Sequence, residues 1–407
     1  MPVPTTPEAA TAPKATAAPA STPVPTVAPP AAAAYRPDSD ATVQLVNPAG
    51  QFAPNEAAQQ FLPYLERLTE ADHRKFYRDM VVVRAFDREA ANLQRQGQLA
   101  LWVPSHGQEA AQVGSAHATR PQDHVFPSYR EHVVGMIRGL DVVDILRMLR
   151  GVTLGGWKPE DHGNFHLYTL VLASQTLHST GYAMGMQLDG STATGNPDTD
   201  EAVIVYYGDG ASSQGDANEA LVFAASYQTP QVFFLQNNHW AISVPVSRQS
   251  RTPLYLRAGG FGMPGYQVDG NDVLASFAVT AKAMDDARAG HGPALIEALT
   301  YRVGAHTTAD DPTKYRDPEE LAYWVARDPI VRFRSYLQSR GIEQQFLDDV
   351  DEEAADFAAD TRRRSLDIVG PDRSVIFDNV YAEPHPLVAE QKAWLDRYES
   401  SFEEGQS

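Results

Sequence analysis

The sequence contains no cysteine, and this absence excludes several kinds of chemistry at once. Without thiols the chain can form no disulfide, no thiolate metal site and no cysteine nucleophile. No apolar run approaches the roughly 18 residues that a membrane-spanning helix needs, and the N-terminus lacks the charged and then apolar pattern of a signal peptide. These absences predict a soluble, cytoplasmic protein that has no membrane partner.

Positive charge is also scarce, because 33 lysines and arginines stand against 52 aspartates and glutamates, and the formal net charge is -19. Proteins that bind nucleic acid or anionic membranes need a clustered excess of basic residues, so neither partner is expected. Any site for phosphate groups must therefore be local. With 407 residues, 43% of them hydrophobic, the chain can bury a substantial core.

The composition changes near residue 40. Up to about Ala34 the sequence consists almost entirely of Pro, Ala, Thr, Ser and Val, and it has no apolar periodicity that could offset the entropy of ordering. Residues 1–40 are therefore predicted to form a disordered tail, either an inert arm or a tether for a partner protein. Residues 41–407 are predicted to form a single α/β domain, with a charged helical extension from about residue 328.

Strand candidates alternate with helical stretches in the central part of the chain. The strand candidates are Val203–Tyr207, Val232–Leu235 and Ala294–Val303, and the helical stretches are Ala217–Tyr227 and Val273–Ala289. This alternation is typical of a mostly parallel sheet flanked by helices. Further helices are predicted from Tyr64 to Leu99 and from Val142 to Arg150, where apolar residues recur at approximately helical spacing.

One strand candidate ends abruptly in the segment VIVYYGDGASSQGDANEA, which runs from Val203 to Ala220. In an open α/β sheet the loops after the strands form the ligand crevice, so Asp209 is expected at its mouth. The flanking glycines allow the backbone to turn and an anion to approach closely. The segment is not a dinucleotide fingerprint, because its third glycine is Gly215 and comes two residues too late. It also lacks the Gly-Lys-Ser/Thr of a Walker A loop.

A second polar pair ends the next strand candidate. After 26 further residues, Ala211 to Gln236, comes Asn237-Asn238. A helix of about four turns and a returning strand fit this interval, so Asp209 and Asn238 are expected at neighbouring strand ends. A carboxylate, an amide oxygen and a backbone carbonyl are hard oxygen ligands, which suit Mg²⁺ together with diphosphate oxygens.

This spacing of Gly-Asp-Gly and Asn-Asn resembles the thiamin-diphosphate motif. From about residue 60 to 385 the chain further resembles the alpha subunits of the first component of branched-chain 2-oxo acid dehydrogenase complexes. The resemblance implies a thiamin-diphosphate fold, with metal ligands at Asp209, Asn238 and the backbone carbonyl of Trp240. It also implies backbone contacts to the diphosphate at Gly210 and Ala211.

Other cofactor contacts implied by the resemblance come from two separate segments. In SYREH, Tyr129 and Arg130 match a pair that contacts the diphosphate, for which a permanent cation with a planar fork is chemically suited. The alternative for Arg130 is a surface charge that caps a helix. In ASQTLHSTGYAMG, Ser174 and Thr176 match the contacts to the aminopyrimidine, although the family usually has Pro where this chain has Gln175.

The segment YRVGAHTTADDPTKYRD, from Tyr301 to Asp317, resembles the long active-site loop of the family. A single loop histidine is more often structural or solvated, but the match of the surrounding residues implies that His306 reaches the cofactor. The pair Asp310-Asp311 is closer to branched-chain members than to pyruvate members. Thr307 takes the place of a serine that is phosphorylated in mammalian relatives.

Two features of the family are missing from this chain. Gln236 stands where several relatives carry an arginine to the diphosphate. The glutamate that the chemistry requires against the aminopyrimidine comes, in this family, from a separate beta chain. The resemblance therefore implies a heterotetramer of two alpha and two beta subunits and a lipoyl-bearing acyltransferase that receives the acyl group.

The expected reaction is decarboxylation of 3-methyl-2-oxobutanoate and related branched 2-oxo acids with acyl transfer to a lipoyl group. Pyruvate and acetoin dehydrogenases share the same motif and stay open as alternatives. A third alternative is a structural paralogue without catalytic activity, which the presence of Asp209, Asn238 and His306 disfavours.

Overall fold

A computed structural model describes residues 35–153, 156–378 and 380–403. Residues 1–34 of the predicted tail lie outside the described residues. The remainder of that segment, residues 35–40, contacts the folded domain. Tyr35 is only 1% exposed, and its hydroxyl donates a hydrogen bond to the backbone oxygen of Ser250 at 3.1 Å. At least Tyr35 therefore packs as part of the domain.

A six-stranded sheet forms the centre of the protein. Its strands, in spatial order, are β1 (Thr42–Val43), β7 (Gly265–Asp269), β8 (Ala294–Leu299), β4 (Gln231–Asn237), β3 (Val203–Gly208) and β2 (His124–Phe126). Every neighbouring pair in this sheet is parallel. A separate antiparallel pair joins β5 (Trp240–Ala241) to β6 (Val244–Pro245). The predicted mostly parallel α/β fold is confirmed.

Apolar residues on both faces of the central strands account for this arrangement. In β3, Ile204 and Tyr206 enter one core, whereas Val203, Val205 and Tyr207 enter the other. Successive side chains of a strand point to opposite faces, so a continuous apolar run requires a cover on each side. Helices supply that cover on both faces.

The helices have the following bounds. Before β3 they are α1 (Leu62–Leu65), α2 (Glu70–Arg95), α3 (Glu109–His117), α4 (His132–Ile137), α5 (Val142–Arg150) and α6 (Ser174–Asp189). Between β3 and β8 they are α7 (Gly215–Tyr227), α8 (Val246–Gln249), α9 (Arg257–Phe261) and α10 (Val273–Arg288). After β8 they are α11 (Pro318–Val325), α12 (Pro329–Ser339), α13 (Gln344–Leu366), α14 (Val375–Asp378) and α15 (Pro386–Glu403). Short 3₁₀ helices occupy Glu56–Phe61, Pro159–His162, Ala211–Ser213, Leu254–Leu256 and Pro312–Lys314.

The two faces of the sheet carry different helices. Residues of α2, α3 and α10 share one core with β3, β4 and β8, while α6 and α7 belong to the core on the opposite face. The helical C-terminal part predicted from about residue 328 is confirmed by α12 and α13. Among the described helices, none combines the length and the apolar character that crossing a bilayer requires.

The strand predicted from Ala294 to Val303 is shorter in the structure and ends at Leu299. Leu299 pairs with Asn237 and with Asp269, the last residues of β4 and β7. Beyond Leu299, β8 therefore has no strand partner among the described residues. The chain then continues as a loop, in which the backbone N–H of Val303 donates to the oxygen of His106 at 3.1 Å. Because the strands are parallel, β3, β4 and β8 all end at the same edge of the sheet.

Candidate active site

A cavity of about 460 Å³ opens at this edge of the sheet. Its floor comes from the residues that follow β3 and β4, and one wall comes from the loop after β8. The predicted site residues that line it are Tyr129, Arg130, Asp209, Gly210, Ala211, Asn238, Trp240 and His306. Segments far apart in the sequence therefore converge on one cavity.

Asp209 lies at the floor, directly after β3. It is 1% exposed, and burial raises the pKa of its carboxyl to about 6, although the amide of Gln249 donates to Oδ2 at 2.9 Å. Within the described part of the chain, Asp209 forms no ion pair. A buried carboxylate without a cation is costly, so this position favours a cationic ligand. Gly210 lets the floor pack closely, since a Cβ there would lie 2.8 Å from the Cβ of Ala241.

The two asparagines after β4 have separate roles. The amide of Asn237 donates to Oε1 of Glu297 in β8 at 2.7 Å, so it connects two strands and does not line the cavity. Asn238 lines the cavity, and its amide nitrogen donates to Oε1 of Gln108 at 2.7 Å. The backbone N–H of Trp240 donates to Oδ1 of Asn238 at 3.3 Å. These contacts hold the Asn238 amide oxygen on the floor.

Sequence reasoning missed a buried polar network beneath the cavity. Oε1 of Gln236 accepts hydrogen bonds from the amides of Gln108 at 3.1 Å and Gln112 at 3.0 Å. The Gln236 amide donates to Oε1 of Glu131 at 2.6 Å, and Glu131 also accepts from the backbone N–H of Ser128 at 2.8 Å. Gln236 therefore contacts three other buried side chains. Glu131 belongs to the SYREH segment, two residues after Tyr129, so the sequence analysis could have identified it from that segment.

Two arginines hold the loop histidine. Nδ1 of His306 lies 3.3 Å from a guanidinium nitrogen of Arg130 and 3.3 Å from one of Arg302. Burial, followed by the charges of Arg130 and Arg302, lowers the pKa of His306 to about 3. Since guanidinium groups can only donate, Nδ1 must accept, and the proton of the neutral ring is on Nε2. His306 is therefore available as a hydrogen-bond donor through Nε2.

Arg302 is a second residue that the sequence analysis did not identify. It is 1% exposed, and its guanidinium donates to the backbone oxygen of Trp240 at 2.8 Å, the oxygen of Ile242 at 2.7 Å and the hydroxyl of Tyr315 at 2.9 Å. It joins the floor to the loop. Arg302 lies three residues beyond the end of β8, and this position after a strand could have indicated a site residue.

Arg130 is buried, so the alternative of a surface charge does not describe it. It donates to the backbone oxygens of Pro104 and His306, the latter at 3.1 Å. Tyr129 lies beside it on the cavity wall, with its ring 6.4 Å from that of His306. A buried cation on the wall of a cavity favours an anionic ligand.

Ser174 and Thr176 do not line the cavity. Both lie in the first turn of α6, where the Ser174 hydroxyl donates to the backbone oxygen of Val171 at 2.9 Å. The Thr176 hydroxyl is buried and donates to the oxygen of Ala173 at 2.6 Å. Leu172, just before this turn, does line the cavity. The predicted contact of these two residues with a cofactor stays a prediction.

Comparison with known proteins agrees with this geometry. Residues 77–365 match the family described as the dehydrogenase E1 component. The chain belongs to this family. Membership in the dehydrogenase E1 component family makes the protein an oxidoreductase and implies thiamin diphosphate as cofactor and a beta subunit as partner.

Several curated members of the dehydrogenase E1 component family are similar over most of the chain. The 3-methyl-2-oxobutanoate dehydrogenase subunit alpha of Mycobacterium tuberculosis is 44% identical over 362 residues, 87% of this chain and 93% of the relative. The pyruvate dehydrogenase E1 component subunit alpha of Bacillus subtilis is 38% identical over 77% of this chain and 82% of the relative. Its counterpart in Staphylococcus epidermidis is 40% identical over 68% of this chain and 72% of the relative.

Proposed function

We propose that this chain is the alpha subunit of a branched-chain 2-oxo acid dehydrogenase. It acts in the oxidative decarboxylation of 3-methyl-2-oxobutanoate and related branched 2-oxo acids, with transfer of the acyl group to a lipoyl group. The observation that carries the proposal is the 44% identity to the M. tuberculosis subunit over nearly its full length. The cavity supports it, because Asp209, Asn238 and His306 all line that space.

The floor supports a Mg²⁺ site. Mg²⁺ prefers oxygen ligands, and the floor offers the carboxylate of Asp209, the amide oxygen of Asn238 and the backbone oxygen of Trp240. Asp209 is buried without an ion pair among the described residues, as expected of a carboxylate whose partner is a bound cation. These three residues would hold the ion, and the ion would neutralise part of the diphosphate charge.

The wall above the floor supports a diphosphate site. Arg130 is a buried cation on this wall, and Tyr129, Gly210 and Ala211 line the same cavity. Backbone N–H groups after a glycine can approach an anion closely. Arg130, Tyr129 and the backbone N–H groups of Gly210 and Ala211 would hold the diphosphate.

Thiamin diphosphate, when bound, supplies the carbon nucleophile and the electron sink for decarboxylating a 2-oxo acid. The residues of this chain would bind the cofactor and orient the substrate. His306, neutral and protonated on Nε2, would donate a hydrogen bond to a group bound in the cavity. Leu101 and Val103 line the same cavity and exclude water from it.

The apolar rim of the cavity supports a beta subunit as the partner that completes the site. Leu170, Leu172 and Ile242 line the cavity and are 68%, 40% and 55% exposed. Exposed apolar side chains in such a patch mark a surface that another protein covers. The glutamate that faces the aminopyrimidine would come from this partner, in an assembly of two alpha and two beta chains. A lipoyl-bearing acyltransferase would then receive the acyl group at the cavity mouth.

The test is reconstitution of the chain with a beta subunit of the same family. We expect no turnover of any 2-oxo acid by the chain alone and turnover by the assembly. With saturating Mg²⁺ and thiamin diphosphate, kcat/KM for 3-methyl-2-oxobutanoate should exceed that for pyruvate by about tenfold to a few hundredfold, since each extra buried methylene contributes roughly 1 to 3 kcal/mol.

Pyruvate is the second candidate substrate, favoured by the 38% and 40% identity to the two pyruvate dehydrogenase subunits. A higher kcat/KM for pyruvate in the same assembly would replace the branched-chain assignment. Turnover by the isolated chain would contradict the shared active site. An assembly that binds the cofactor but turns over neither these substrates nor acetoin would favour a structural paralogue.

A further inference from the structure

A second cavity, of about 380 Å³, borders the loop that carries His306. His306 and Thr307 line the active-site cavity, whereas Thr308 and Asp310 line the second one. Among the described residues, the two cavities share no lining residue. The active-site loop is therefore a partition between two separate spaces.

The wall opposite the loop is α2, which presents a row of basic side chains. Arg84, Arg88 and Arg95 line the second cavity, with Asn92 between the last two. They are separated by four and seven residues, the spacing that places side chains on one face of a helix. We call this cavity the arginine groove.

Positive charge in the arginine groove is only partly balanced. Nε of Arg84 contacts Glu109 at 2.8 Å and its Nη1 contacts Asp328 at 2.6 Å, but its Nη2 is buried with no hydrogen-bond partner in the described structure. Arg88 and Arg95 are exposed, and neither forms an ion pair with any residue that the structure describes. In a chain with a net charge of -19, these two arginines place positive charge on one face of α2.

The acidic residues of the groove are engaged elsewhere. Asp87 is buried and accepts a hydrogen bond from Nε1 of Trp102 at 2.9 Å. Asp310 accepts from the backbone N–H of His306 at 2.8 Å and from the hydroxyl of Tyr315 at 2.5 Å. Both oxygens of Asp87 and Oδ2 of Asp310 accept hydrogen bonds from these or neighbouring groups, and the exposed Arg88 and Arg95 remain to bind an anion.

We propose that the arginine groove binds a small phosphate-bearing molecule. Guanidinium groups bind phosphate oxygens through charge-assisted, often bidentate hydrogen bonds, and the groove volume falls within the range of small-ligand pockets, roughly 300 to 1,000 Å³. The opposite wall adds Thr308, whose hydroxyl accepts a hydrogen bond from the backbone N–H of Trp102 at 3.1 Å. The bound anion connects α2 to the active-site loop.

A ligand in this position would restrain the loop. Asp310 lies in the groove and holds the backbone of His306, so a ligand between α2 and Thr308 stabilises the closed arrangement. Lys314 lies further along the same loop, and 78% of its side chain is exposed. The rate at which trypsin cleaves after Lys314 therefore measures how often the loop opens. This site goes beyond the proposed function. Neither ligand binding nor trypsin cleavage after Lys314 depends on turnover of a 2-oxo acid.

The experiment measures binding of inorganic phosphate and of glycerol 3-phosphate by calorimetry. It uses the full-length chain, alone and with its beta subunit, after saturation with Mg²⁺ and thiamin diphosphate. The test variant is R88Q/R95Q, and the matched control is K392Q/R397Q on α15, which removes the same charge outside the groove. Each lost charge-assisted hydrogen bond lowers affinity about tenfold to a hundredfold, so R88Q/R95Q should bind at least tenfold more weakly.

The outcomes separate the possible ligands. Loss of affinity for both probes in R88Q/R95Q but not in the control supports the proposal, and tighter binding of glycerol 3-phosphate identifies a phosphate ester rather than free phosphate. With either probe, cleavage after Lys314 should slow about fivefold in the wild type and stay unchanged in R88Q/R95Q. Equal affinity in wild type and R88Q/R95Q overturns the proposal.

Discussion

Asp209 on the floor of the active-site cavity and His306 on its loop wall are both buried titratable groups, but their surroundings differ. Asp209 has no ion-pair partner among the described residues, and burial raises its pKa to about 6. His306 lies between Arg130 and Arg302, and burial together with these charges lowers its pKa to about 3. Asp209 therefore has no ion-pair partner in the described part of the chain, whereas two arginines contact His306.

This difference shows how one cavity can accept a ligand with both signs of charge. A metal ion bound at the floor would neutralise Asp209, and Arg130 would bind an anionic group. Arg302 contacts both regions, because it donates to the oxygen of Trp240 at 2.8 Å and lies 3.3 Å from Nδ1 of His306. A metal diphosphate matches this pair of environments.

The largest effect is expected at the floor. Replacing Asp209 by Asn, or Asn238 by Ala, removes a proposed metal ligand and would leave diphosphate charge without its counterion. In the reconstituted assembly, kcat/KM should fall roughly a hundredfold to a thousandfold, together with the affinity for Mg²⁺ and thiamin diphosphate. Asp198→Asn, an exposed acid in the loop before β3, is the control. Unchanged cofactor affinity in both floor variants would remove the metal assignment.

The floor could be predicted from the sequence because its geometry depends on regular structure. Asp209 and Asn238 directly follow β3 and β4, and parallel pairing brings such positions together. Short or polar elements gave no comparable periodic signal: β1 has two residues, β2 has three, and α6 is rich in small and polar side chains.

The loop wall could be predicted only through the family resemblance. The position of His306 depends on guanidinium contacts from Arg130 and Arg302, two side chains 172 residues apart that no local pattern connects. Likewise, the network of Gln108, Gln236 and Glu131 joins three separate segments. Such long-range polar contacts are set by tertiary structure and leave no trace in local spacing.

The next effect concerns the pH dependence of stability without metal or cofactor. The pKa of Asp209 is raised from 3.8 to about 6, so the folded state holds this proton more tightly than the unfolded state. Stability from this group is present below pH 3.8 and is lost as the pH rises through about 6, by roughly 3 kcal/mol in total. Asp209→Asn should therefore gain stability relative to wild type between pH 4 and pH 7. Urea unfolding of both proteins at several pH values measures this gain, and a constant difference across the range would contradict the buried, unpaired carboxylate.

A smaller effect is expected at the loop wall. His306→Gln keeps a donor near the same place but loses the shape and orientation of the ring, so kcat should fall about tenfold to a hundredfold. Affinity for Mg²⁺ and thiamin diphosphate should change little, in contrast to the floor variants. His291→Gln, at a side chain that is 71% exposed, controls for the loss of a histidine. If His306→Gln weakened cofactor binding as much as Asp209→Asn, the floor and the wall would have to be treated as one binding unit.

The smallest effect compares packing in the two regions through one glycine in each. A Cβ at Gly210, on the floor, would lie 2.8 Å from the Cβ of Ala241, whereas a Cβ at Gly304, in the loop, would lie 3.2 Å from the Cβ of Pro104. Neither glycine has a positive φ, so the difference reflects space rather than backbone strain. Gly210→Ala should destabilise by about 1 to 3 kcal/mol through overpacking. Gly304→Ala should change stability by less than about 1 kcal/mol, because the contact cost is offset by the reduced entropy of the unfolded chain. Unfolding free energies of the two variants decide the point, and equal losses would mean that the loop is packed as tightly as the floor.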